Sequence, residues 1–346
     1  MISDELWQQV IDYIKKSNQF TLTTHVNPDG DGIGSEIALF YFLSNLKKKV
    51  RVINHSLTPK VYRFLDPDLK IIENFSKEKK EWINKSDIIF ILDISTKERL
   101  GDLGVPVSES SAIKICFDHH ASSEAFSNIN LIDVNACATG ELIYDLIYKY
   151  NNAFTSEIVE ALYISILTDT GSFRFSNSTV RSHLITAELI RMGIKPREMY
   201  EKAYEMSSWE KIFLFREALS TLSKEGDGKI ACMYITQEMM EKTRAKREDI
   251  EGFVDYLNVI KDIEVALLFV EVFKRGTKVS LRSKGRIDVN ELAKIYGGGG
   301  HYHAAGIMMH NVSLKEAMNM VINVVDKKIK EKMNENKDSG SQSISD

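Results

Sequence analysis

Residues 20–42 read FTLTTHVNPDGDGIGSEIALFYF. The run Phe20–Thr24 has the β-rich character of a short strand, and from Ser35 onward the apolar spacing is helical. Between them His25, Asp29 and Asp31 are packed into a glycine-laced loop. The rest of the first half repeats this alternation. KVRVINH, SDIIFILDIS and SAIKICFDHH read as further short strands, and ATGELIYDLIYKY, TSEIVEALYISILTDTG and TVRSHLITAELIRMG carry helical spacing. The expected fold class is α/β, built on a mostly parallel sheet.

In such sheets ligands bind beyond the carboxyl ends of the strands. The polar residues that punctuate the apolar runs stand at those ends: His25 after FTLTT, Asp93 after IIFIL, and Asp118, His119 and His120 after IKICF. Asp169, in LTDTGSF, ends an apolar helical run. Singly, an Asp–Gly pair is most often a turn, and Asp93 or Asp169 suits a helix end. Jointly, several carboxylates and imidazoles converging on one crevice repel each other unless cations neutralise them. Oxygen and nitrogen donors without thiolate suit Mn²⁺ or Mg²⁺ better than structural zinc. There are donors enough for two ions sharing a carboxylate, the usual device for in-line displacement at phosphorus.

Beyond Gly193-Ile194-Lys195-Pro196 the stretch REMYEKAYEMSSWEKIFLFREALSTLSK is strongly helical. KIACMYIT, IEVALLFVEVF and TKVSLRS then read as strands, the last two as a hairpin, with KTRAKREDIEGFVDYLNVI as a helix after the first. The expected organisation is a catalytic domain over 1–192, a helical connector over 193–224 and a smaller α/β domain over 225–328. A polar tail over 329–346, disordered in its last dozen residues, completes the chain. The active site is expected in the cleft between the domains. In the second domain, GGGGHYHAAG (297–306) strips four side chains in succession, so backbone N–H groups approach an anion closely. Arg282, ending a strand, is a natural phosphate fork.

The 346 residues suffice for two domains, and 43% hydrophobic with 27% charged residues is ordinary for a globular protein. A net charge of -4 gives no global basic signature; if nucleic acid is a partner, a local patch must bind it, and short substrates suit that better than long duplex. Three scattered cysteines form no CxxC pair, against a disulfide framework or a zinc ribbon. No signal-peptide pattern and no apolar run of about 20 residues appears, so the cytoplasm is expected and a membrane is not.

The stretches HVNPDGDGIGS, ILDIS, FDHH and LTDTGSF resemble the four motifs of the DHH phosphoesterase superfamily. GGGGHYHAAG resembles the hallmark of the DHH-associated C-terminal domain. The resemblance covers the chain to about residue 328 in the family's order, and the layout looks most like the nanoRNase/pAp-phosphatase group. It implies one metal on His25, Asp29 and Asp93, and a second on Asp31, Asp93, His119 and Asp169. Asp118 would orient the histidine pair, with His120 and Asp93 as the catalytic residues. Arg282, Ser283, Gly298, Gly299, Gly300 and His301 would bind substrate, while His183 and His303 match no role.

The implied reaction is two-metal hydrolysis, Mn²⁺ favoured over Mg²⁺, of short RNA to mononucleotides. Hydrolysis of 3′-phosphoadenosine 5′-phosphate to AMP and phosphate is the companion activity. A linear (pApA) or cyclic diadenylate phosphodiesterase is the alternative enzyme, and a nucleotide-binding sensor the alternative from another class. A homodimer is left open.

Overall fold

The structure, a computed structural model, describes residues 2–300 and 302–341. It divides into two compact units, Met1–Met206 and Ser207–Asp346.

The first unit runs α1 (Asp4–Lys16), β1 (Gln19–Thr23), α2 (Gly30–Asn45), β2 (Lys49–Asn54), β3 (Ile72–Asn74), α3 (Lys80–Lys85) and β4 (Ile88–Leu92). It continues through α4 (Gly104–Glu109), β5 (Ile113–Asp118), β6 (Ile129–Ile132), α5 (Thr139–Tyr150), α6 (Ser156–Asp169), α7 (Val180–Arg191) and α8 (Pro196–Tyr204). The six strands form one sheet in the order β3-β2-β1-β4-β5-β6, and every neighbouring pair is parallel. Parallel strands need both faces covered, which is why β4 is the unbroken apolar run IIFIL. Ile88, Phe90 and Leu92 pack on one face with α1, α2, α5 and α6. Ile89 and Ile91 pack on the other with Ile83 of α3 and Val107 of α4. The α/β expectation holds, with a sheet that is wholly rather than mostly parallel.

The second unit comprises α9 (Trp209–Leu219), β7 (Ser223–Glu225), β8 (Ile230–Ile235), α10 (Gln237–Thr243), α11 (Phe253–Leu257), β9 (Val265–Val272) and β10 (Gly276–Ser283). α12 (Val289–Lys294), β11 (Gly299–Gly300), β12 (Ala304–His310) and α13 (Leu314–Ser341) follow. Its sheet order is β11-β12-β10-β9-β8-β7, antiparallel except for β8 and β9. The expected β9–β10 hairpin is present.

Three readings change. The stretch expected as a single connector is two helices, α8 and α9, because Ser208 caps a new one by accepting from Lys211 N at 3.1 Å. The helix expected over 242–260 is broken where Arg244 and Gly252 take left-handed φ of 58° and 86°. The polar tail is helical to Ser341, with Ile329 buried on α13; of the last dozen residues, expected to be disordered, 335–341 continue this helix and 342–346 lie outside the described residues.

Candidate metal centre

In the order β3-β2-β1-β4-β5-β6, the sequence of strands reverses between β1 and β4, which opens a crevice at their carboxyl ends. His25 lies two residues beyond β1, Asp93 one beyond β4, and Asp118 ends β5 with His119 and His120 next. α2 starts inside the acidic loop. Asp29 is its N-cap, with Oδ1 accepting from the N–H groups of Asp31 and Gly32 at 3.0 and 3.2 Å. That leaves Oδ2 toward His25 Nε2, 3.8 Å away.

Asp31, in the first turn of α2, is 1% exposed. The N-terminus of α5 holds it: Thr139 N donates to Oδ2 at 2.7 Å and Gly140 N to Oδ1 at 3.0 Å. The Ser165 hydroxyl of α6 adds a bond to Oδ1 at 2.5 Å. Asp169, the last residue of α6, accepts at Oδ2 from Asn177 Nδ2 at 2.9 Å.

Two histidines aim the same ring atom inward. Carbonyls only accept, so the contacts of His25 Nδ1 to Val26 O (2.9 Å) and of His119 Nδ1 to Ala136 O (3.3 Å) put the proton on Nδ1. Nε2 is then the ring atom that can take a cation, once it gives up its proton. Asp93 stands between the two histidines. Its Oδ2 is 3.4 Å from His25 Nε2 and its Oδ1 3.7 Å from His119 Nε2. Asp93 has φ +60°, a left-handed conformation that Asp tolerates better than most residues. His119 Nε2 also lies 3.6 Å from Asp31 Oδ2 and 3.6 Å from Asp169 Oδ2.

Donor atoms thus gather as His25–Asp29–Asp93, Asp31–His119–Asp169 and Asp93–His119–His120, within 4.8 Å of one another in each group. His119 Nε2 is buried without a hydrogen-bond partner. Two donors each about 2.1 Å from one ion stand roughly 3–4 Å apart, so these spacings suit ligands around a shared cation rather than hydrogen bonds. The residues present fit divalent metal.

The protein's own charges lead to the same requirement. Burial, then the Asp93 carboxylate, raises Asp31 to about 6; burial, then Asp31, raises Asp169 to about 8. Burial pulls His25 and His119 down, but the surrounding carboxylates outweigh it and lift them to about 10 and about 9. The folded protein therefore holds more protons at neutral pH than the unfolded chain. The two acids, near 3.8 when unfolded, cost stability increasingly as pH rises toward 6 and 8. The two histidines stabilise fully below about 6.5 and lose that contribution as pH climbs through 9 and 10. Both effects have one sign. Metal-stripped protein is expected to melt higher at pH 6 than at pH 9, and Mn²⁺ to release protons and raise the melting temperature more at the higher pH. Differential scanning fluorimetry across pH checks this, and equal melting at both values would refute it.

The chain matches the DHH family, N-terminal domain, over residues 19–166 and the DHHA1 domain over 227–331. It is 32% identical over 305 residues to the bifunctional oligoribonuclease and PAP phosphatase NrnA of Thermus thermophilus, covering 88% of each chain. The chain belongs to the DHH family. It is a hydrolase of the phosphoesterase class by that membership, and the resemblance read from its motifs holds. The Bacillus subtilis protein of the same name is 26% identical over 309 residues, covering 88% of this chain and 93% of that one. The crystal structure of an exopolyphosphatase-related protein from Bacteroides fragilis superposes with a TM-score of 0.90 at 27% identity, covering 95% of this chain and 99% of that one.

In the DHH domain Asp118, fully buried, accepts from His120 Nδ1 at 2.7 Å, whereas His119 takes its orientation from Ala136. Asp118 thus orients one histidine of the pair. Its carboxylate, against the pull of burial, raises the pKa of His120. Asn177 escapes a reading by motif, although its Nδ2 also donates to Asp169 O at 3.1 Å and Cys137 O at 2.8 Å. The Thr139-Gly140 pair opening α5 was a visible signal of an anion-holding helix start.

The DHHA1 residues are less free than their sequence suggests. Arg282 Nε donates to Asp255 Oδ1 at 2.7 Å, so part of the expected fork is engaged. Ser283 is buried, its hydroxyl accepting from Gly285 N at 3.0 Å. Gly298 N donates to Ala293 O at 2.9 Å and Gly300 N to Asn290 Oδ1 at 3.0 Å, while Gly299 and Gly300 form the short β11 against β12. The amides of Gly297, Gly298 and Gly300 are thus bonded to α12. His301 lies outside the described residues. No described helix is long and apolar enough to cross a membrane.

Proposed function

We propose that this DHH-family phosphoesterase hydrolyses short oligoribonucleotides to mononucleotides and 3′-phosphoadenosine 5′-phosphate to AMP and phosphate, in the cytoplasm, using two Mn²⁺ ions. The carrying observation is the Asp93 carboxylate, whose two oxygens face two separate donor groups. The Thermus thermophilus relative, named for both activities and aligned over 88% of this chain, supports the choice of substrates.

His25, Asp29 and Asp93 would hold one ion, and Asp31, Asp93, His119 and Asp169 the other. Bound there, the pair supplies Lewis-acid polarisation of a phosphoryl oxygen and a lowered water pKa. The chain's own residues do the rest. The Asp29 cap, the α5 amides on Asp31 and Asn177 on Asp169 keep the carboxylates from reorganising as charge develops. Asp118 holds His120 by Nδ1 and favours its charged form, which offsets charge on the phosphoryl or leaving oxygen. In the DHHA1 domain, Arg282, its guanidinium steadied by Asp255, would bind the nucleotide's phosphate together with Ser283, Gly298, Gly299, Gly300 and His301.

The test is a ranking of kcat/KM with Mn²⁺ on 3′-phosphoadenosine 5′-phosphate, pApA, longer oligoribonucleotides, cyclic diadenylate and pyrophosphate. 3′-Phosphoadenosine 5′-phosphate and the oligoribonucleotides should lead; preference for pApA alone, cyclic diadenylate or pyrophosphate contradicts the proposal. Arg282→Ala should raise KM by about 10-fold or more with kcat little changed, the loss of a charge-assisted hydrogen bond worth about 1.5–3 kcal/mol. An unchanged KM on every substrate removes Arg282 from the binding site.

A further inference from the structure

The turn after Asp169 is built at a cost that the metal centre alone does not explain. Gly171, Ser172 and Phe173 are left-handed in succession, with φ of 55°, 60° and 65°. Two of the three carry side chains that disfavour that region, and such strain persists only where neighbours over-determine it. Here they do. Ser172 N donates to Leu167 O at 2.8 Å, Phe173 N to Thr170 Oγ1 at 3.1 Å, and Arg174 N and Phe175 N both to Thr170 O at 3.0 and 3.1 Å. The Phe173 ring stacks on His183 at 5.0 Å, which gives that histidine a structural role.

What the turn delivers is an oriented, solvent-facing cation. Arg174 Nε donates to Gly171 O at 2.7 Å, which pins the guanidinium by one nitrogen, and the residue is exposed. The group sits 6.0 Å from the Phe175 ring, which is itself packed over Gly171 and 57% exposed. Among the described residues Arg174 forms no salt bridge. It is close to the centre: Asn177, three residues on, bonds to Asp169 Oδ2 at 2.9 Å, and three residues span at most about 11 Å. The Tyr204 phenol, raised chiefly by burial, feels Arg174 and Asp169 together. An arginine kept only for solubility needs neither the pinning bond nor the left-handed turn beneath it.

We propose that Arg174 grips a phosphate of the substrate other than the one being cleaved, using its terminal nitrogens as a fork, with the Phe175 ring as an apolar face alongside. The cleaved phosphate has its charge met by the metal centre, whereas Arg174 stands on the exposed rim. The proposal rests on the reading of the site as a hydrolase of short nucleotides.

The dinucleotides pApA and ApA share one phosphodiester and differ by a terminal phosphate, which separates the two ideas. For Arg174→Ala with Mn²⁺, KM on pApA should rise about 10-fold toward the ApA value, while kcat and both constants on ApA stay within about twofold. Arg174→Lys should restore part of the loss, and the Mn²⁺ titration of both variants should match the wild type. An unchanged KM on pApA overturns the proposal, as does an equal loss on both substrates, which would mark a structural role. Wild-type protein that cleaves neither dinucleotide instead defeats the functional reading, and Arg174's role falls with it.

Discussion

Asp93→Asn is expected to lower Mn²⁺-dependent hydrolysis by at least about 10²–10³-fold, the scale of losing one group that stabilises transition-state charge. Asn is the informative replacement because it keeps the side-chain volume and tolerates the φ of +60° at this position. The charge is lost and one acceptor oxygen becomes an N–H donor. Asp93 is 2% exposed and its two oxygens face His25 and His119, so both donor groups lose their shared anion at once. Thr139 Oγ1, which donates to Asp93 Oδ1 at 3.3 Å, keeps an acceptor in the amide oxygen. The variant should therefore remain folded in the far-ultraviolet circular dichroism spectrum. Turnover near wild type in a folded Asp93→Asn protein would sink the shared-carboxylate model.

Gly34→Ala should be the most damaging single methyl in the DHH domain. A Cβ at Gly34 would lie 2.5 Å from the Ala161 carbonyl oxygen and 3.0 Å from Ser165 Cβ. The near atom is backbone of α6, which cannot rotate aside as a side chain can. The helix must shift instead, and α6 carries Ser165, bonded to Asp31, and Asp169 at its end. Overpacking of this kind costs about 1–3 kcal/mol. For a unit of this size that is a fall of roughly 2–12 °C in melting temperature. Weaker Mn²⁺ binding should accompany the fall, because Asp31 and Asp169 sit on opposite sides of the strained contact. Wild-type melting and wild-type Mn²⁺ affinity in this variant would show that the helices do not depend on that approach.

Much of the DHH domain was legible because parallel strands are apolar on both faces. Runs such as IIFIL stand out from their surroundings, so the sequence alone places His25, Asp93 and Asp118–His120 at strand ends. β3 and β6 were not legible: three residues of IEN and four of INLI have no periodicity, and become strands only through pairing with β2 and β5. Asn177 was hidden for a similar reason. A loop asparagine carries no local mark, and its three acceptor contacts are made by the tertiary fold. In the DHHA1 domain local pattern leaves the partners of the glycine amides unread. Glycines 297–300 read as an open anion cradle, but Asn290, ten residues away from Gly300 on α12, takes one of the amides. Gly252 was a visible break in the stretch read as one helix, and the chain does turn there.

The most direct measurement is the Mn²⁺ stoichiometry of turnover. Metal-stripped protein is titrated with Mn²⁺ in a calorimeter, and pApA hydrolysis is followed across the same additions. Two ions per chain, with activity rising only as the second site fills, is the expected result, together with its collapse in Asp93→Asn. Full hydrolysis at one ion per chain, or in the presence of excess chelator, would contradict a centre in which two cations share Asp93.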